Sequence, residues 1–248
     1  TVSSVLVPGD LASGGSQFLI CVVPQSGLDG HHTIWGQVVD GMDVVTRISE
    51  ISVDADGLAT ERVTIRSATI RDKPPPEVPP FTVESDDELA AFRAILTTTL
   101  GAIAIEFYPD VAPNHVRNFL RLVDAGVYDG MGFHRVVPGF VIQSGHLPTR
   151  RDPLTDRQQR FVRNLEPEFN ETIHIRGIVS MARLDDPASA STSFFICTDV
   201  AQELDGVYTA FGVVVEGLDV VAKIEATPTN GETPTNRIEI IDAEVVRR

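Results

Sequence analysis

The chain has 248 residues, of which 42% are hydrophobic, and its mean hydropathy of +0.05 is typical of a globular protein that buries one or two cores. Its formal charge of −15 and pI near 4.7 disfavour nucleic acid as a partner, because phosphates are bound through clustered lysine and arginine side chains. No apolar run approaches the roughly 20 residues that cross a bilayer, so no membrane span is expected. The chain begins at Thr1 and not at a methionine, so the sequence leaves open both a missing leader and the compartment, which is either cytoplasmic or periplasmic or secreted.

A long internal repeat organises the chain. The string GSQFLICVVPQSGLDGHHTIWGQVVDGMDVVTRI, from Gly15, matches STSFFICTDVAQELDGVYTAFGVVVEGLDVVAKI, from Ser191, without a gap and 176 residues later. A period this long predicts tandem domains and excludes a solenoid. Cys21 and Cys197 take matching places in the two copies, which favours buried strand residues in separate units over a disulfide.

A proline-rich segment separates the two copies. The string DKPPPEVPP has five prolines in nine positions, which disfavours a helix and predicts an extended spacer, and we assign residues 72–81 to this linker. Residues 82–248 then form a complete domain, while residues 1–71 correspond only to its second half. Half a domain is expected to expose strand edges and apolar surface.

The elements of residues 82–248 follow from local patterns. The stretch from Arg93 to Tyr108 has β-branched alternation around a glycine turn and predicts a hairpin. A helix is expected from Pro113 to Gly126, and GLDVVAKI predicts a second short one. Further strands are predicted in FHRVV, FVIQS, GIVSMA, SFFICT, YTAFGVVV and RIEIIDAEV, and about eight strands in one domain favour a closed barrel.

Four ordered strings resemble the cyclophilins, a family of peptidyl-prolyl cis-trans isomerases. They are FHRVVPGFVIQSG from Phe133, GIVSMA from Gly177, SFFICT from Ser193 and LDGVYTAFGVVVEGLDVV from Leu204. The resemblance covers residues 90–248, and residues 1–71 resemble the second half of such a domain. It implies an all-β fold, a closed eight-stranded antiparallel barrel capped by two α-helices, with the substrate groove on the outer face of the barrel.

The resemblance also implies a set of site residues. The catalytic arginine of the family falls on Arg135, beside the motif histidine His134. The resemblance further implies pocket and groove residues at Phe140, Val141, Gln143, Ala182, Arg183, Ser193, Phe195, Leu204 and Tyr208. Phe133 and Phe194, neighbours in the same strings, are expected to be ordinary core residues.

These residue types suit the rotation of an X–Pro bond. The barrier to that rotation is about 18–20 kcal/mol because resonance gives the C–N bond double-bond character. The twisted imide nitrogen carries a lone pair, and an arginine donor aimed at it binds the transition state better than either ground state. An apolar pocket holds the proline ring, so no nucleophile, metal or cofactor is required. The expected substrates are proline-containing polypeptides.

Several alternatives and departures remain open from the sequence. Arg135 alone would be read as a surface ion-pair former, and His134 as a packed residue that transfers no proton. Ser193 stands where the family has a glutamine, which leaves a non-catalytic proline-peptide binding module as the second reading. Glu203 stands where a tryptophan favours cyclosporin, so cyclosporin binding is in doubt. The segment from His146 to Phe161 is expected to be a solvated loop.

Overall fold

The computed structural model describes residues 1–7, 10, 12–70 and 78–248. The chain divides into two compact units, Thr1–Pro74 and Pro75–Arg248. Residues 72–77 of the predicted linker lie outside the described residues. Among the described residues, no helix combines the length and the apolar character that crossing a membrane requires.

The first unit is small and open. It contains β1 (Val2–Ser4), β2 (Phe18–Ile20), β3 (Ile34–Gly36) and α1 (Met42–Ser49), with antiparallel strands in the order β2-β1-β3. The repeat continues in RVTIRSATI, from Arg62, which matches RIEIIDAEV, from Arg237, in the second unit. Residues 62–70 are nevertheless exposed and form no strand.

The second unit is mostly β-structure. Its strands are β4 (Phe92–Thr98), β5 (Gly101–Phe107), β6 (Met131–Gly132), β7 (Arg135–Val137), β8 (Val141–Ser144), β9 (Ile178–Met181), β10 (Phe194–Cys197), β11 (Ala210–Glu216), β12 (Thr229–Asn230), β13 (Thr233–Pro234) and β14 (Glu239–Arg247). Its helices are α2 (Asp86–Ala90), α3 (Pro113–Asp124), α4 (Asp156–Phe161) and α5 (Leu218–Glu225). The hairpin, the helix after Pro113 and every other strand predicted for residues 82–248 are present.

Nine strands form one large, curled antiparallel sheet, in the order β6-β14-β4-β5-β11-β9-β10-β8-β7. The predicted count of eight strands is therefore low by one, because the chain around FHRVV forms two short strands. Of these, β6 pairs with β14 and β7 pairs with β8. The Phe133 backbone N–H donates to Ile238, next to β14, and the His134 N–H donates to Gln143 in β8. The two outermost strands of the sheet, β6 and β7, are thus consecutive in the chain.

Two helices beyond the expected pair are present, and each begins with a capping box. Ser85 and Glu88 cap α2, and Thr155 and Gln158 cap α4 by the same reciprocal bonds. The prediction of a loop from His146 to Phe161 is therefore wrong for Asp156–Phe161, although most of the segment is exposed to solvent. Arg150 reaches back to the carbonyl oxygens of 126 and 127, at 3.2 Å each, and ties the segment to the end of α3.

The main core lies between α3 and the sheet. Phe119 of α3 is fully buried, and its ring centroid lies 5.0–5.8 Å from four other aromatic rings. These rings belong to Phe107, Tyr128, Phe194 and Phe211. In the first unit the repeat counterparts of Phe194 and Phe211, Phe18 and Trp35, are 46% and 60% exposed, because the residues described there include no helix or strand in the place of α3 and β5.

The cysteines are both free, and they differ in burial. Cys197 is fully buried in β10, whereas Cys21 follows β2 and is only half-buried, so the expectation of two buried strand cysteines is wrong for Cys21.

Candidate active site

Three side chains of the site come from adjacent strands in one row. Arg135 of β7 is paired across the sheet with Gln143 of β8, and Gln143 is paired with Phe195 of β10. Directly opposed residues of antiparallel strands project from the same face, so the sheet register brings a cation, an amide and an aromatic ring together. The Pro138-Gly139 turn makes this possible by returning the chain within three residues.

A cavity of about 350 Å³ opens over this row. It is lined by nine of the eleven residues predicted for the site: Arg135, Phe140, Val141, Gln143, Ala182, Arg183, Phe195, Leu204 and Tyr208. The other two, His134 and Ser193, lie in an adjoining cavity of about 290 Å³, which shares Gln143, Ala182 and Arg183 with the first. The predicted residues therefore line two adjoining cavities and not a single one.

The floor of the first cavity is apolar. Val141, Phe195 and Leu204 are buried in a hydrophobic cluster that is separate from the main core. Adjacent residues of β10 face opposite ways, as strand alternation requires, so that Phe194 packs in the main core while Phe195 faces the cavity cluster. Tyr208 packs edge-on against Phe195, with ring centroids 5.5 Å apart.

The polar rim of the cavity is held by specific contacts. Arg135 Nε and Nη2 donate to Glu232 Oε2 and Oε1 at 2.6 and 3.2 Å. The guanidinium of Arg183 lies 4.8 Å above the Tyr208 ring and donates to the Val207 carbonyl oxygen. Gln143 Nε2 donates to the Ser193 hydroxyl at 3.2 Å, and that hydroxyl donates to the Ser144 carbonyl oxygen at 3.0 Å.

His134 is held neutral at ordinary pH. Burial lowers the pKa of its imidazole to about 4, and the neighbouring His146 and Arg135 act in the same direction. The two histidine rings lie 5.1 Å apart, and His134 Nδ1 is buried without a hydrogen-bond partner among the described residues. The imidazole therefore adds no positive charge next to Arg135 at ordinary pH.

A polar network around the buried His174 lies next to Phe195, and sequence reasoning missed it. His174 Nδ1 and Asp205 Oδ1 are 2.8 Å apart, and His174 Nε2 lies 2.8 Å from the Ser180 hydroxyl. The order resembles that of a hydrolase triad, but Ser180 is fully buried and cannot meet a substrate. The His174 ring instead stacks on Phe195, with ring centroids 6.2 Å apart.

Glu232 is the second site residue that the sequence did not indicate. It lies 97 positions from Arg135, in the tight turn between β12 and β13, and the string NGET carries no signal of a role. Its carboxylate pKa is lowered, chiefly by the hydrogen bonds from Arg135.

The sequence matches one family model and several curated proteins of the same kind. The family model described as cyclophilin type peptidyl-prolyl cis-trans isomerase/CLD matches residues 6–70 and 93–245. A peptidyl-prolyl cis-trans isomerase of Arabidopsis thaliana, CYP23, is 37% identical over 162 residues, which are 63% of this chain and 72% of that protein. A probable peptidyl-prolyl cis-trans isomerase of Brucella abortus is 40% identical over 137 residues, 53% of this chain and 70% of that protein.

Solved structures of cyclophilins are also similar to this chain. A cyclophilin type isomerase of Cryptosporidium parvum, crystallised in the presence of the dipeptide Ala-Pro, has a TM-score of 0.56 at 26% identity and is matched over 99% of its length and 63% of this chain. The cyclophilin AquaCyp293 of Hirschia baltica has a TM-score of 0.53 at 27% identity, over 74% of its length and 64% of this chain.

Proposed function

Because the chain belongs to the cyclophilin-type peptidyl-prolyl cis-trans isomerase family, we propose that residues 82–248 catalyse the rotation of X–Pro bonds in polypeptides and so assist protein folding. The observation that carries the proposal is the single cavity in which Arg135 lies over an apolar floor formed by Val141, Phe195 and Leu204. Residues 1–71, which lack a counterpart of Arg135, are expected to be inactive.

The guanidinium has donors left for a substrate. Arginine carries five N–H donors, and Glu232 takes one from Nε and one from Nη2. Within the described part of the chain Nη1 makes no hydrogen bond. We assign this free end to the lone pair of the twisted imide nitrogen, which the planar ground states do not offer.

The cavity supplies the second component of the mechanism. The proline ring would be held against Phe140 and Phe195 while the carbonyl group before it rotates. A 10⁴-fold acceleration requires a reduction of the barrier by about 5–6 kcal/mol, at 1.36 kcal/mol per decade. One charge-assisted hydrogen bond away from bulk water, together with fixed orientation of the ring, is of that magnitude.

The proposed mechanism needs a rigid sheet. We propose that β6 and β7, the two edges of the nine-stranded order, close it into a barrel through the backbone bonds of Phe133 and His134. Closure would remove the exposed strand edges and would fix Arg135 relative to β8 and β10.

The experiment is an exchange assay on the whole chain with an Ala-Pro-Phe peptide, by NMR or by protease coupling. Arg135→Ala is expected to lower kcat/KM about 100-fold or more, as loss of a transition-state donor does. Arg160→Ala, an exposed arginine of α4, is the matched control and should leave the rate unchanged. A wild-type chain that does not accelerate exchange refutes the proposal.

A proline-peptide binding module without turnover is the second candidate. The observation that favours it is the bond from Gln143 to Ser193, which holds the amide against the cavity wall. Chemical-shift changes at Phe195 on adding the peptide, without faster cis-trans exchange, would select this reading.

A further inference from the structure

Glu232 is anchored to the catalytic strand by its backbone as well as by its side chain. The Val136 N–H donates to the Glu232 carbonyl oxygen at 2.7 Å, one residue beyond Arg135. The β12–β13 hairpin therefore presents its turn directly to β7. This backbone bond does not depend on the side chain at position 232, so substitutions there leave the hairpin attached.

The side-chain contact has the geometry of an orienting pair. Two parallel N–H···O bonds between a guanidinium and a carboxylate fix the plane of the guanidinium, whereas one bond would allow it to turn. The bonds engage the Nε edge, so the Nη1 end is the part directed away from Glu232. Arg135 is about one-third exposed and would otherwise sample several rotamers.

The pair also resolves the two readings of Arg135. An arginine in an ion pair at a cavity rim is an ordinary surface feature, and an arginine that lines an apolar-floored cavity is a catalytic candidate. Arg135 is both, because the carboxylate takes one edge of the guanidinium and the cavity takes the rest.

We propose that Glu232 is a positioning residue for prolyl isomerisation, which holds the Arg135 guanidinium in the orientation that the twisted imide requires. The inference rests on the proposed isomerase function and deepens it. Glu232 acts through Arg135, so it affects the rotation step and not the binding of the proline ring on the apolar floor.

The test compares kinetics of the whole chain with Glu232→Ala and Glu232→Gln. A misplaced donor costs on the order of tenfold to 100-fold, so Glu232→Ala is expected to lower kcat about tenfold while KM changes less than about twofold. Glu232→Gln keeps one oxygen acceptor and should recover part of the loss. The control is Glu216→Gln, which removes an exposed carboxylate that is paired with Arg93 at 3.4 Å and lines neither cavity.

Two further readouts separate positioning from a merely structural role. In an Arg135→Ala background, Glu232→Ala is expected to have no additional effect on the residual exchange rate measured at high enzyme concentration. The Nε–H resonance of Arg135 should be sharp in the wild-type chain and broadened by rotamer exchange in Glu232→Ala, with melting temperatures of the two chains unchanged.

The outcomes distinguish this inference from the function on which it rests. An active wild-type chain that loses activity in Arg135→Ala, but whose Glu232→Ala variant behaves as Glu216→Gln does, overturns the positioning role and leaves the isomerase standing. An equal loss from Glu232→Ala with and without Arg135 also overturns it. A wild-type chain that does not accelerate exchange overturns both.

Discussion

Replacement of Glu168 by alanine removes the cap of α3. The residue before this helix is Ala112, which has no side-chain acceptor, and Glu168 supplies one from 54 positions away. Its Oε1 accepts from the Asn114 N–H and Nδ2 at 3.1 and 2.8 Å. Its Oε2 accepts from the His115 N–H at 3.0 Å and lies 2.7 Å from His115 Nδ1.

The expected cost follows from these contacts. Loss of a helix cap costs about 1 kcal/mol, and a buried polar group left without a partner costs about 1–3 kcal/mol. His115 is fully buried, so loss of the carboxylate leaves its Nδ1 without this partner away from bulk water. The sum of about 2–4 kcal/mol corresponds to a melting temperature lower by roughly 5–15 °C in a domain of this size.

The effect is also expected to depend on pH. Burial acts to raise the pKa of Glu168, but the hydrogen bonds from His115 and Asn114 outweigh it, and the net pKa is below the ordinary value of 4.5. A carboxyl group whose pKa is lowered by folding stabilises the fold above its unfolded pKa, and this contribution is lost as pH falls through the lowered pKa. The difference between wild type and Glu168→Ala should therefore be full at pH 7 and should shrink progressively below about pH 4.5.

The assay is urea unfolding followed by circular dichroism at pH 7 and at several lower values. Glu166→Ala removes an exposed carboxylate two residues away and is the matched control. If Glu168→Ala unfolds at the same urea concentration as Glu166→Ala, the capping argument fails.

Three further predictions concern the close approach at Gly145, the two cysteines and the Phe195 ring. Gly145 has φ +82°, and a Cβ there would overlap the backbone of residues 192–193, whereas Gly139 has φ +73° and open space around it. In urea unfolding, Gly145→Ala should therefore lower the free energy of unfolding by at least about 2 kcal/mol more than Gly139→Ala does. Equal losses would contradict the close approach at Gly145. Burial raises the pKa of Cys197 to about 12, whereas Cys21 is only half-buried. A thiol reagent at pH 8 should therefore modify Cys21 alone in the folded chain and both cysteines in urea. Rapid reaction of both cysteines in the folded chain would contradict the burial of Cys197. Phe195→Ala removes a ring that is 4% exposed, so it should lower the free energy of unfolding by about 3–5 kcal/mol and raise KM for the peptide. Phe195→Leu should keep most of the stability. An unchanged KM in Phe195→Ala would show that the ring does not bind the peptide.

The sequence by itself predicted the local elements, and its resemblance to the cyclophilins indicated which residues line the cavity. Apolar alternation predicted β4 and β5, local apolar patterns predicted β8–β11, and the 3.6-residue period after Pro113 predicted α3, because all these patterns arise within a few consecutive residues. The short string from Phe133 to Gly145 brought Arg135, Phe140 and Gln143 together, because a tight turn favours antiparallel pairing of the two strands that it joins.

Only the tertiary structure decided the contacts between distant segments. Glu232 reaches Arg135 across 97 positions and Glu168 reaches α3 across 54, and no local pattern indicates which carboxylate will meet which partner. The same reason explains residues 62–70, whose pattern matches β14 but which form no strand. In the second unit β14 is held between β4 and β6, and a strand exists only where neighbouring strands accept its backbone hydrogen bonds.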